Sequence, residues 1–162
     1  MLLLAACART QLAETEVAGA GKDELDFWDA VATVRAVSNH DALYALLLTY
    51  EIDPGADYAA RVAMAKKRGW IREKDTLPEK ETARTGWIAK AVCIESGIKG
   101  GVTMRVFGAR ERYAVNELNY RRWLPDLTPQ QAMTGLQLIA LLGEAEDDNT
   151  GAPTTNPEDL PK

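Results

Sequence analysis

Residues able to do covalent or acid–base chemistry are few in this chain, and they do not cluster. His40 is the only histidine and is followed by Asp41; Ser38 and Ser96 are the only serines. Neither serine sits in the glycine-framed strand-to-helix turn of a nucleophile elbow. His40 falls at an expected helix start, where a solvent-exposed cap-region residue is a better reading than a general base. Cys93 lies in the apolar run Trp87 to Ile94 and reads as a buried, inert thiol. Metal sites need clustered His, Cys or carboxylates. The acids Glu144, Glu146, Asp147 and Asp148 read instead as a solvated helix end running into a tail. Lys99-Gly100-Gly101 lacks the spacing and the Ser or Thr of a phosphate loop. The expectation is therefore a protein that is not an enzyme and uses no metal or cofactor. Binding chemistry is better supplied. Lys99, Arg105, Arg110 and Arg112 lie on or beside one glycine-rich connector. Their charges, with the glycine amides, suit an anionic glycan or a carboxylate. Solvation and pairing with Glu111 and Glu117 is the simpler expectation for the same cations.

A second kind of chemistry belongs to Cys7. Met1-Leu2-Leu3-Leu4-Ala5-Ala6-Cys7 ends in a branched apolar residue, two small residues and a cysteine. This resembles the lipobox of bacterial lipoproteins, in which a peptidase binds small side chains at the cut and the thiol forms the thioether to diacylglycerol. A secretory signal has a basic n-region and roughly 7–15 apolar residues, so the resemblance implies that residues 1–7 are the remnant of a longer signal peptide. Residues 8–22 are small, polar and glycine-containing, as a tether between lipid and domain should be. The implied location is the cell envelope, lipid-anchored, on the periplasmic or outer-membrane face. Ala8, where an aspartate would resemble an inner-membrane retention signal, points toward the outer membrane.

The elements that must carry these residues are helical. At 162 residues, 46% of them hydrophobic, the chain has the size of one domain with tails. Its net charge of −5, with acids concentrated near the C-terminus, gives no reason to expect nucleic acid as a partner. No run reaches the ~18 apolar residues that a spanning helix needs, so membrane contact is expected through the lipid alone. Lipidation would leave Cys93 without a disulfide partner.

Apolar spacing predicts helices over 24–36, 40–50, 57–68, 77–96, 111–122 and 129–144. Ser38-Asn39 offers caps, Asp53-Pro54-Gly55 a turn, and Gly69 and Gly97 helix ends. Thr76-Leu77-Pro78-Glu79 and Thr128-Pro129-Gln130-Gln131 have the form of capping boxes and place the fourth and sixth helix starts. Residues 99–108 read as an irregular connector. The domain is expected over 23–147, with a disordered tail over 148–162. The fold class is all-α: a paired-helix, repeat-like bundle of about six helices with short irregular connectors.

An internal repeat supports the pairing. Tyr58-Ala59 opens a helix that ends Arg68-Gly69-Trp70-Ile71, and Tyr113-Ala114 opens one that ends Arg121-Arg122-Trp123-Leu124. Each is followed by Thr-x-x-Glu or Thr-x-x-Gln and then by a Thr-Gly pair, Thr85-Gly86 and Thr134-Gly135, a period of about 50 residues. Glycine within a helix costs ~1 kcal/mol relative to alanine. Its recurrence predicts that a neighbour packs on bare backbone there. Trp70 and Trp123 read as hydrophobic lids on helix ends. Trp28 to Tyr50 is a candidate shorter first unit.

Over 58–96 and 113–144 this unit resembles the surface-layer homology module of bacterial envelope proteins. The resemblance implies three modules around a pseudo-threefold axis and binding to wall polysaccharide. That family's Thr-Arg-Ala-Glu corresponds to Ala83-Arg84-Thr85-Gly86 and Ala132-Met133-Thr134-Gly135, so Arg84 is kept once and the acid in neither unit. The functional expectation is a non-enzymatic envelope lipoprotein contacting cell-wall glycan or another envelope protein, with Cys7 lipidated and Arg84, Lys99, Arg105, Arg110 and Arg112 as binding residues. An adaptor docking a protein through the basic connector is the alternative. A small hydrolase is the third, and the lack of paired catalytic groups argues against it.

Overall fold

The structure is a computed structural model, which describes residues 24–150. It is all-α, with helices α1 (Glu24–Ala32), α2 (Asn39–Thr49), α3 (Tyr58–Lys67), α4 (Thr85–Glu95), α5 (Val102–Phe107), α6 (Glu111–Tyr120) and α7 (Gly135–Thr150). Among the described residues there is no strand, only the isolated bridges Ser38–Thr82 and Arg84–Ala132. The expected bundle of about six helices is present, and α5 is a short helical turn inside the connector over 99–108.

In chain order the helices fall into three consecutive pairs, α1–α2, α3–α4 and α6–α7, and the main packing contacts run between these pairs, which close in a ring. α2 packs on α3, α4 on α6, and α7 on α1, while α2 also meets α4 and α7. At the centre lie three extended segments, one from each pair. Asn39 N donates to Glu81 O (2.8 Å) and Ala83 N to Val37 O (2.8 Å). Thr85 N donates to Gln131 O (2.8 Å) and Gly86 N to Pro129 O (3.0 Å). Val37 N donates to Met133 O (3.0 Å) and Gly135 N to Val34 O (2.9 Å), which closes the cycle. Val37, Ala83 and Met133, one per segment, are buried. The short unit over 28–50 is thus a third member of the ring.

This junction explains where the helix boundaries depart from the sequence pattern. The first helix, expected to 36, ends at Ala32 because Val34 and Val37 give their backbone groups to the junction. Thr76-Leu77-Pro78-Glu79 does not start a helix. The chain turns at Pro78, whose carbonyl takes Asn39 Nδ2–H (2.8 Å), and Leu77 O accepts from Tyr58 Oη–H (2.6 Å). α4 begins eight residues later with no side-chain cap; its first two N–H groups go to the carbonyls of Gln131 and Pro129. A helix start needs acceptors for its unpaired donors, and here the fold supplies them. Thr128-Pro129-Gln130-Gln131 closes only a turn, with Gln131 Oε1 accepting from Thr128 N (2.6 Å). The working capping box of α7 is Thr134-Gly135-Leu136-Gln137: Thr134 N donates to Gln137 Oε1 (2.9 Å), and Gln137 N to Thr134 Oγ1 (3.2 Å). α7 then runs through Glu144 to Asp148, so those acids lie on a helix rather than in a tail. Cys7, the tether and the remaining tail lie outside the described residues.

The repeated ends behave alike. Trp70 N donates to Ala65 O (2.9 Å) and Trp123 N to Leu118 O (3.0 Å), each beyond a residue of positive φ, Gly69 at 77° and Arg122 at 63°. Both indoles are buried, as lids should be. Trp70 Nε1–H reaches Glu95 Oε1 (2.7 Å), and Arg68 Nε–H reaches the same oxygen (2.8 Å), tying α3 to the end of α4.

The two paired glycines stand at helix starts rather than inside helices, and both meet a neighbour. A Cβ on Gly135 would lie 1.6 Å from Val31 O, inside the α1 backbone. A Cβ on Gly86 would lie 2.8 Å from Glu111 Oε2 and 2.9 Å from Pro129 O. By contrast, a Cβ on Gly143, in the middle of α7, would meet nothing within 4 Å. Gly135→Ala should therefore destabilise by about 3 kcal/mol or more, because backbone must move. Gly143→Ala should stabilise by roughly 0.5–1 kcal/mol through helix propensity. Urea denaturation of the two variants checks the contrast.

Burial raises the Glu95 carboxyl, but hydrogen bonds from Arg68 and Trp70 outweigh it and hold the group below the usual carboxylate range. A depressed folded value contributes stability above the ordinary range, lost as pH falls through the folded value. Glu95→Gln should lower stability at neutral pH and flatten its decline in acid, read from urea midpoints across the pH range.

Candidate functional site: a cationic groove beside α4 and α6

The junction places the start of α6 over the start of α4. Glu111, in the first turn of α6, rests its carboxylate on the bare backbone of Gly86, next to the α4 N-terminus. Both helix ends present partial positive charge, which favours an acid there. Arg84, the residue before α4, lies 3.7 Å from Glu111 Oε2 and donates to Gln130 Oε1 at 3.3 Å.

Around this contact opens a groove of about 830 Å³, lined by Arg72, Arg84, Lys90, Arg110, Arg112 and Glu111 among others. Arg72 pairs with Asp75 (2.9 Å) at the rim. Lys90 projects from α4 and is half-buried; burial lowers its pKa, Arg72 adds to that, and Glu111 and Asp75 offset part of it. Five cations therefore face a space in which the one lining carboxylate is already paired with Arg84. Guanidinium groups present paired N–H donors that match carboxylate and phosphate oxygens. The arrangement can hold an anion; it contains no nucleophile with an adjacent base.

Of the residues expected to bind, the fold brings Arg84, Arg110 and Arg112 together in this groove. Lys99 and Arg105 are not part of it; they lie before Gly108, which turns the chain between α5 and α6 at φ 76°. The expected pairing of the connector cations with Glu111 and Glu117 does not form. Glu111 pairs with Arg84, and Glu117 with Arg121 (3.1 Å) and Gly101 N (3.1 Å). Among the described residues, no ion pair engages Lys99, Arg105, Arg110 or Arg112. Arg72 and Lys90 were not expected here. Lys90 had one signal, a single cation inside the apolar stretch of α4; Arg72 had none, since a loop brings it across.

His40 is a correction. It is buried at 8% exposure instead of facing solvent. Arg61 Nη1–H donates to its Nε2 at 2.5 Å. Its Nδ1 lies 2.6 Å from Glu79 Oε1, without the alignment of a hydrogen bond. Its ring stacks 5.5 Å from Tyr58, and buried Arg61 covers the Tyr44 ring. The imidazole bridges α2, α3 and the loop before α4, which is a structural task. Cys93 is buried on α4, as expected.

No protein-family profile matches this chain, and no curated protein or solved structure matches it either.

Burial, with smaller help from Glu117, pushes the Cys93 thiol up to about 12. The reactive thiolate is thus suppressed at neutral and mildly basic pH. In a Cys7→Ser background, iodoacetamide should leave the folded protein unmodified and label Cys93 once urea unfolds it, read by intact mass.

Proposed function

We propose that this chain is a non-enzymatic cell-envelope lipoprotein, tethered through Cys7, whose helical domain binds an anionic cell-wall polymer in the groove beside α4 and α6. The observation that carries the reading is the charge balance of that groove. Arg72, Arg84, Lys90, Arg110 and Arg112 surround one carboxylate that is already engaged, on a protein whose net charge is −5. An open cleft of about 830 Å³ accommodates sugar rings, and its guanidinium groups suit carboxylate or phosphate substituents on them. The ring of three helix pairs lends further support, since the surface-layer homology modules that the repeat resembles are also arranged about a pseudo-threefold axis. The lipobox-like Leu4-Ala5-Ala6-Cys7 supplies the address.

Sedimentation with purified cell-wall sacculi tests the reading. Arg84→Gln/Arg112→Gln should lower the wall-bound fraction at least tenfold, with the remaining binding sensitive to salt. Wild-type protein that stays in the supernatant, or the double variant sedimenting like wild type, would remove the groove as a glycan site.

A further inference from the structure

The cations that the groove leaves out share a surface with unusual apolar exposure. Between Glu95 and Glu111 the chain carries no acid, yet it carries Lys99 and Arg105 outside the groove. In the same stretch Val102 is 78% exposed, Val106 67% and Phe107 53%. On a helix, residues three and four apart share a face, so Val102, Arg105 and Val106 form one outward stripe of α5.

The stripe is held outward by the fold. Met104, on the opposite side of α5, is buried in the core. Gly100, at φ 57°, leaves no room for a Cβ beside it: the Met104 sulfur would lie 2.6 Å away. Gly101 N donates to Glu117 Oε2 on α6, and Glu117 is held in turn by Arg121. The Phe107 ring leans on Tyr113 at 6.2 Å while half of the residue stays exposed. A turn anchored at Gly101, Met104 and Phe107 thus presents apolar side chains to solvent in a fixed orientation, beside Lys99 and Arg105, which no ion pair engages among the described residues.

We propose that α5 and its flanks form a second membrane contact, in which Val102, Val106 and Phe107 dip into the interface of an anionic bilayer while Lys99 and Arg105 bind lipid headgroups. Shallow apolar insertion combined with basic residues is the chemistry of reversible interfacial binding. None of the described helices is long and apolar enough to cross a membrane, so the contact is peripheral. A protein partner fits less well. Three side chains on a six-residue helix fall well short of the ~800 Å² per partner that a stable protein interface buries. A hydrophilic glycan gives the exposed aliphatic Val102 and Val106 no apolar partner. The proposal uses none of the groove residues and does not depend on lipidation of Cys7.

The test is co-sedimentation of the full chain, carrying Cys7→Ser so that no acyl group contributes, with two kinds of vesicle. One is phosphatidylcholine alone; the other is equal parts phosphatidylcholine and phosphatidylglycerol. Wild-type protein should bind the anionic vesicles, fail to bind the neutral ones, and detach as salt rises. Lys99→Gln/Arg105→Gln should weaken partitioning about 25-fold, at roughly fivefold per cation. Val102→Asn/Phe107→Asn should weaken it roughly tenfold or more; both positions are exposed, and circular dichroism confirms that the variant is folded. Arg84→Gln/Arg112→Gln should bind like wild type, which keeps this result separate from the wall assay. The proposal is overturned by a wild-type protein that ignores anionic vesicles, or by α5 variants that bind as well as wild type. It is equally overturned if Val102→Asn/Phe107→Asn abolishes a self-associated species in sedimentation velocity while vesicle binding is absent.

Discussion

Three helix starts in this protein are completed by backbone from elsewhere in the chain. A helix N-terminus leaves N–H groups without intrahelical acceptors, and burying them unpaired is costly. In α2, Asn39 and His40 donate to the carbonyls of Glu81 and Glu79; in α4, Thr85 and Gly86 donate to Gln131 and Pro129; in α7, Gly135 donates to Val34. Each pair of helices therefore finishes its neighbour, and the third finishes on the first. Side-chain caps at Ser38 and Thr134 supplement this exchange, while α4 has none. The dependence is mutual, so loss of one segment removes acceptors from the next.

The same closeness sets the composition at the junction. Backbone approaching backbone leaves no space for a β-carbon, which is why Gly135 sits against Val31 O and Gly86 against Pro129 O. At Gly86 the space has a second use, because the Glu111 carboxylate settles over it and draws Arg84 to the lip of the groove. The groove's geometry is in this sense a by-product of the ring. The loops that cap helices also deliver Arg72 and the Arg110–Arg112 stretch to one side of α4.

Charge is divided across the surface in a way that the net value hides. The α7 end carries Glu144, Glu146, Asp147 and Asp148, whereas the α4–α6 side gathers cations in the groove and along α5. A local positive surface on an acidic protein concentrates anions there while the rest of the molecule repels them. The proposed wall contact and the proposed bilayer contact draw on this one asymmetry through different residues. Elsewhere in the molecule His40 and Arg61 are buried beside the partly exposed Glu79, and together they lock α2, α3 and a loop.

Helix content, the approximate bodies of α2, α3 and α6, the end of α4 and the burial of Cys93 were legible in the sequence. Apolar spacing, Gly69, Gly97 and the Ser38 cap are local signals, and helix interiors answer to local rules. So was the repeat, whose two Trp residues cap helix ends in the same way. Helix starts were not legible where acceptors come from distant carbonyls. Thr76 and Thr128 carried capping patterns that tertiary contacts overrode, while the working box at Thr134 lay a few residues away. The connector's helical turn depends on Met104 reaching the core, and the burial of His40 on Arg61 and Glu79 arriving from other elements. The sequence by itself determined which segments are helices and which cations were available. Only the tertiary structure decided where those helices begin and which cations face one space, because backbone donors and charges are satisfied by neighbours in three dimensions and not along the chain.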